Sequence, residues 1–286
     1  MTRVRIVTDS SARLPDPSMW DHPLLTAAPF HLHANGEAVA EDATKPLFVY
    51  HRFFDGADPP VAKAPSTEDF ARIYGALFEE SDQILSIHTA TAAADSYANA
   101  LSASERYLGR CDIQVVDSQT LSAGLGLLVE LAVRAAEDDQ PLDEIVRLVR
   151  GMIPRLYMVF FLDDLMHLER QGLITRSQGI LGNMLGVIAF LTMEDGHLIP
   201  MEKVRSRPRA LEKLVEFVAE FTHLDHIAIL QPTPDSTEDA AWVAERVDGL
   251  HPGTPLTFTD YGPTTAALVG SNSLGVVVVE SDEDLP

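Results

Sequence analysis

Val4-Arg5-Ile6-Val7-Thr8-Asp9-Ser10-Ser11 begins with a short apolar run that stops at a polar turn. A run of this length, bounded by Asp and Ser, predicts a buried strand. The pattern returns in Ile113-Gln114-Val115-Val116, which runs into Asp117-Ser118. Leu121-Ser122-Ala123-Gly124-Leu125-Gly126 then opens an apolar helix. Two strands that end alike predict neighbours in one parallel sheet, where ligands sit beyond the carboxyl ends of the strands. Asp and Ser at such ends cap helix starts, and helix starts favour anions. Asp9 and Asp117 therefore mark where a small anionic substrate would sit if the chain were an enzyme.

Outward from these strands, the first half alternates strand and helix. Strands are expected over 24–32, 83–87 and 113–116, with a tight turn at Asn35-Gly36. Helices are expected over 15–20, 46–55, 66–80, 92–108, 121–136 and 143–150, and a loop over 57–65. That rhythm predicts a parallel sheet. Beyond Pro154 the rhythm changes. A strand over 157–162 and a helix over 163–170 precede an apolar helix over 180–185. Segments 188–193 and 197–204 flank Glu194-Asp195-Gly196 and read as a hairpin. A helix over 207–221, a strand over 226–230, a helix over 236–247, a strand over 256–259, a short helix over 264–269 and a strand over 275–279 follow. The expected fold is α/β: a Rossmann-like parallel-sheet domain over 1–155, then a second α/β (α+β) domain with a mixed sheet over 156–286.

The 286 residues are 46% hydrophobic and 22% charged, with a net charge of −22. That charge argues against a nucleic-acid face and against docking on anionic membrane. No apolar run reaches membrane-spanning length. Cys111 is the single cysteine, so no internal disulfide forms, which fits a reducing cytoplasm. The opening Met-Thr-Arg-Val-Arg lacks a signal-peptide layout and also points to the cytoplasm. His31 and His33 share a strand face, but no third metal ligand is evident nearby. Nucleophile elbow, P-loop and dinucleotide fingerprints are absent.

Seven segments, in order, carry a resemblance. They are Val7-Thr8-Asp9-Ser10-Ser11, Pro65-Ser66-Thr67-Glu68-Asp69-Phe70, Ser96-Tyr97-Ala98-Asn99-Ala100, and Asp117-Ser118 with Ser122-Ala123-Gly124-Leu125-Gly126. Gly182-Asn183-Met184-Leu185, then Asp195-Gly196 through Glu202-Lys203-Val204-Arg205, and finally Gly262-Pro263 complete the set. Over nearly its full length the chain resembles the DegV family of bacterial fatty-acid-binding proteins. The resemblance implies two α/β domains with a ligand tunnel at their junction, a long-chain fatty acid as ligand, no cofactor and no catalysis. Some members carry the lipid for a fatty acid kinase, so that kinase's catalytic subunit is the partner implied.

In the family a T-S pair, the second serine of an S-S pair and a late histidine hold the carboxylate head. Here Ala62 and Lys63 stand at the first pair, Ala90 and Thr91 at the second, and Asp260 beside Tyr261 at the histidine. Thr91 keeps a hydroxyl to donate. Lys63 exchanges a neutral donor for a cation. Asp260 opposes a carboxylate unless Lys63 or Arg176 neutralises it. Ser66 and Ser118 complete the expected head-binding set. Gln171-Gly172-Leu173-Ile174 replaces the family's G-G-R-I, so Leu173 takes the arginine position. Two rivals stand beside lipid binding: an enzyme at the Asp9 and Asp117 strand ends, and a diverged interaction module whose tunnel is filled by its own side chains.

Overall fold

β1 (Arg5–Asp9) lies inside a sheet whose strands all run parallel. The structure, a computed structural model, describes residues 3–56, 59–170, 172–233 and 237–282. β2 (Leu25–Ala28) follows β1; β3 (His31–Ala34), β4 (Glu37–Ala40) and β5 (Val61–Lys63) come next. Then come α1 (Thr67–Phe78), β6 (Gln83–His88), α2 (Ser96–Ser104), β7 (Asp112–Asp117), α3 (Ser122–Glu137) and α4 (Leu142–Met152). The first sheet has the order β2-β1-β6-β7. β1 and β7 thus share a parallel sheet but are not neighbours, because β6 pairs with both.

Three other expectations change. The single strand expected over 24–32 is two strands, broken at Pro29, which has no amide to give a ladder. Its second part, β3, pairs antiparallel with β4 and β5 as a separate three-stranded sheet. β5 arises inside the stretch expected as loop, of which residues 57–58 lie outside the described residues. The helix expected over 46–55 is a 3-10 helix, Leu47–Phe53.

The second half contains β8 (Leu156–Leu162), α5 (Met166–Arg170), α6 (Arg176–Met184), β9 (Ile188–Glu194), β10 (His197–Val204) and α7 (Arg207–Val218). β11 (Leu224–Gln231), α8 (Glu238–Leu250), β12 (Leu256–Asp260), α9 (Gly262–Val269) and β13 (Leu274–Glu280) complete it. The start of the helix expected over 236–247 falls at residue 236, outside the described residues, as does Gln171. The sheet order is β10-β9-β8-β13-β11-β12, mixed as expected, with only the β11–β12 pair parallel.

The strands of the two larger sheets fall on either side of residue 155, yet one apolar core crosses it. Leu85, Leu128 and Val133 pack in the same cluster as Met158, Leu162, Leu230 and Val277. α3 lies in this cluster, buried along most of its length, as a sequence apolar nearly all round predicts. Gly126 lets it come close: a Cβ there would lie 1.9 Å from the carbonyl oxygen of Arg13. The motif glycine is thus a contact between α3 and the turn after β1.

Candidate functional site

The strand-end carboxylates are already engaged. Asp9 is fully buried, and its Oδ2 accepts from Ser96 Oγ at 2.8 Å, Thr89 N at 3.0 Å and His88 Nδ1 at 3.2 Å. Its Oδ1 accepts from Ser11 Oγ at 2.5 Å. Burial alone would raise this carboxyl, but the bonds from His88, Ser11 and Thr89 outweigh it and hold it low. A carboxylate only accepts, so His88 donates from Nδ1, and its Nε2 hydrogen-bonds Ser86 Oγ at 2.6 Å. Ser86 Oγ in turn accepts from Tyr74 Oη at 2.8 Å. The line Asp9–His88–Ser86 has the order of a hydrolase triad, but all three side chains are sealed at 0% exposure. What it does is fasten the exit of β6 and the start of α2 to the end of β1.

Asp117, at the end of β7, accepts from Gln119 N at 2.9 Å and from Thr91 Oγ1 at 2.5 Å. The Thr91 hydroxyl proton, expected to serve a ligand, therefore points to Asp117. Ser66 is equally committed: it caps α1, accepts from Asp69 N and donates to Asp69 Oδ2 at 2.6 Å. Ser118 is buried and donates to the carbonyl of Thr120 at 3.1 Å. Ala90 is buried under the β9–β10 hairpin, where a Cβ on Gly196 would lie 3.6 Å from its methyl.

Lys63, Ala62 and Thr91 come together, lining one cleft of about 480 Å³ with Asp95 and Asn99. Asp260 lies elsewhere, in a cleft of about 310 Å³ with Arg13, Trp20, Thr44 and Lys45. The cation near Asp260 is Arg13, whose Nε lies 3.7 Å from Oδ1, rather than Lys63 or Arg176. Asp260 Oδ2 accepts from Leu47 N, at the start of the 3-10 helix, and Oδ1 from Gly262 N, both at 3.0 Å. Burial raises the Asp260 carboxyl, against the pull of Arg13 and these two amides. Tyr261 is a core residue whose Oη accepts from Ser273 N at 3.2 Å.

A cluster not anticipated from sequence surrounds Arg13. Its Nη2 donates to Glu41 Oε1 and its Nη1 to the carbonyl of Ala43, both at 2.6 Å. Glu41 Oε2 accepts from Ser10 Oγ at 3.2 Å and from Thr264 Oγ1. Burial pushes the Glu41 carboxyl up to about 7 despite Arg13 and the two hydroxyls. Gly262, at φ +71°, leaves room for the guanidinium: a Cβ there would lie 1.9 Å from Arg13 Nη2.

Two more clefts flank α5. One, of about 470 Å³, is mainly apolar and is lined by Leu165, Leu168, Ile174, Leu181, Leu185 and Ala189, among others. The exposed side chains of Ile180, Leu181, Met184 and Leu185 continue it along α6. The other, of about 410 Å³, lies where β5 faces α5 and α9, and holds Pro59, Pro60, Val61, Ala62, Arg170, Ala267 and Leu268. Among the described residues, no helix is long and apolar enough to cross a membrane.

A family model described as an uncharacterised protein of the DegV family matches residues 3–281. A DegV domain-containing protein of Streptomyces coelicolor is 28% identical over 277 residues, covering 96% of this chain and 98% of its own. One from Listeria monocytogenes is 23% identical over 284 residues, covering 96% and 97%. Among solved structures, a fatty-acid-binding DegV family protein from Thermus thermophilus superposes with a TM-score of 0.82 at 25% identity, covering 98% of this chain and 100% of its own. One from Eubacterium eligens, loaded with heptadecanoic acid, superposes with a TM-score of 0.82 at 15% identity, covering 97% and 100%.

Proposed function

The chain belongs to the DegV family, and on that premise we propose that it binds a long-chain fatty acid without altering it. The observation that carries this is an apolar stripe along the β9–β10 hairpin. Ala189, Leu191 and Met193 alternate onto one face of β9, and Pro200 and Leu198 of β10 pair with Leu191 and Met193. At one end, Ala189 and Pro200 line the apolar cleft against α6. At the other, Gly196 reaches Ala90, next to Thr91 in the cleft that holds Lys63. Six residue steps lead from Ala189 to Asp195, about 20 Å at roughly 3.3 Å each. That length suits a long acyl chain with its head at Lys63 and its tail against α6, and to lie there the chain would part Leu191 and Met193 from the core they pack in.

The energetics fit such a ligand. Each buried methylene contributes roughly 0.8 kcal/mol, so the tail dominates affinity and the head needs only a few polar contacts. The loaded Eubacterium relative and the fatty-acid-binding Thermus relative support the same ligand class. Leu173, at the arginine position of G-G-R-I, counts against presenting the lipid to a kinase subunit, so the proposal is confined to binding. Native mass spectrometry of the purified protein tests it. The expected spectrum carries a long-chain fatty acid, or gains its mass when palmitic acid is added. A bare chain that takes up neither palmitic nor oleic acid would refute it.

A further inference from the structure

We infer that Arg170 is the second cation of the head site and makes it select ionised over neutral lipid heads. The inference rests on the lipid-binding proposal above. It starts from where the hydroxyl protons go. Thr91 donates to Asp117, Ser66 to Asp69 and Ser118 to the Thr120 carbonyl, so none remains to meet a head group. Asn99 Nδ2 donates to the Pro65 carbonyl at 2.9 Å. Lys63 is the one cation lining that cleft, and Asp95 lines it too, so Lys63 alone leaves little net attraction for an anion.

The missing charge lies across the seam. Ala62 lines both the Lys63 cleft and the adjoining cleft against α9, where Arg170 is the single charged group among small apolar walls. Neither Lys63 nor Arg170 forms an ion pair within 4.0 Å among the described residues, although, against the burial that would raise Asp164, Arg170 is close enough to help hold that carboxyl low. Arg170 is itself exposed, so its head group is free to turn into the adjoining cleft. A guanidinium at the C-terminal end of α5 can also grip a carboxylate with two parallel N–H groups. Arg170 stands three residues before Leu173 and supplies from α5 a positive charge that Leu173 lacks. A head lying along β5 therefore joins Lys63 of the first half to Arg170 of the second.

The test compares palmitic acid with hexadecanol, identical in chain and different in charge, by titration against wild type, Arg170→Gln and Arg170→Lys. The acid is expected to bind wild type at least tenfold more tightly than the alcohol. Arg170→Gln is expected to weaken acid binding roughly tenfold, leave the alcohol unmoved, and be partly restored by Arg170→Lys. Equal losses for acid and alcohol would make Arg170 a packing residue and overturn the inference. An unchanged acid affinity in Arg170→Gln would also overturn it, while leaving lipid binding intact. Wild type that binds neither ligand would remove lipid binding itself, and this inference with it.

Discussion

Replacing Glu41 with Gln is expected to stabilise the protein above neutral pH and leave it nearly unchanged in acid. In the fold, two carboxylates, Glu41 and Asp260, share the single guanidinium of Arg13, and the buried Asp9 adds a third negative charge nearby. Burial pushes Glu41 up to about 7 from an ordinary 4.5. Between those values the folded protein keeps the Glu41 proton while the unfolded chain has lost it. The folded state then binds more protons, so stability is full below pH 4.5 and falls as pH rises to about 7. At about 1.4 kcal/mol per unit, the loss is at most about 3.5 kcal/mol. Gln keeps the shape and does not ionise, and it leaves Arg13 balanced by Asp260 alone. Urea unfolding of wild type and Glu41→Gln across this range reads the effect. The difference should grow with pH, because contributions from other titrating groups cancel between the two proteins. A difference independent of pH, or a variant less stable than wild type above about pH 7, would refute the reasoning.

Arg13→Met should be the mirror case, losing about 3–5 kcal/mol above neutral pH because two buried carboxylates lose their cation; a milder loss in acid, where Glu41 takes a proton, would be seen in the same unfolding series. Gly126→Ala drives a methyl into the Arg13 backbone and should cost more than about 3 kcal/mol by urea unfolding. Thr91→Val removes a bond to Asp117 at an exposed position, so palmitic acid affinity should move by only a few tenths of a kcal/mol in a titration. Lys63→Met should weaken palmitic acid binding by about 1 kcal/mol or more in the same titration, with hexadecanol unaffected.

The architecture was legible because period and punctuation are local. β1, β6 and β7 each announce themselves as an apolar run stopped by a polar turn, and α3 by a stretch apolar nearly all round. The three-stranded sheet was not legible as a sheet. Its strands are three or four residues long, and β5 lies just beyond Pro59 and Pro60 where only the chain's return to β3 makes it a strand. Sheet order was hidden for a related reason. Nothing in the two Asp-Ser endings says that β6 inserts between their strands.

The site divides along the same line. Resemblance supplied Ala62, Lys63 and Thr91, and these three do line one cleft. It also supplied Asp260, which lies apart because the 3-10 helix at Leu47 brings an amide to its carboxylate. Sequence shows that Thr91 has a hydroxyl; it does not show that Asp117, from a strand one place over in the sheet, takes the proton. Arg13 was invisible for the opposite reason. A charged residue in a polar turn reads as solvated, and only Glu41, Thr264 and Gly262, brought in from distant parts of the chain, make it buried. Where hydroxyls once suggested the head site, the protons now point inward to the protein. On the inference above, the charge that meets a ligand is carried instead by two long side chains, Lys63 and Arg170, each lining one of two clefts that share Ala62. Binding of an anionic head is then expected to tie β5 to α5, so palmitic acid should slow amide exchange in both segments and hexadecanol in neither.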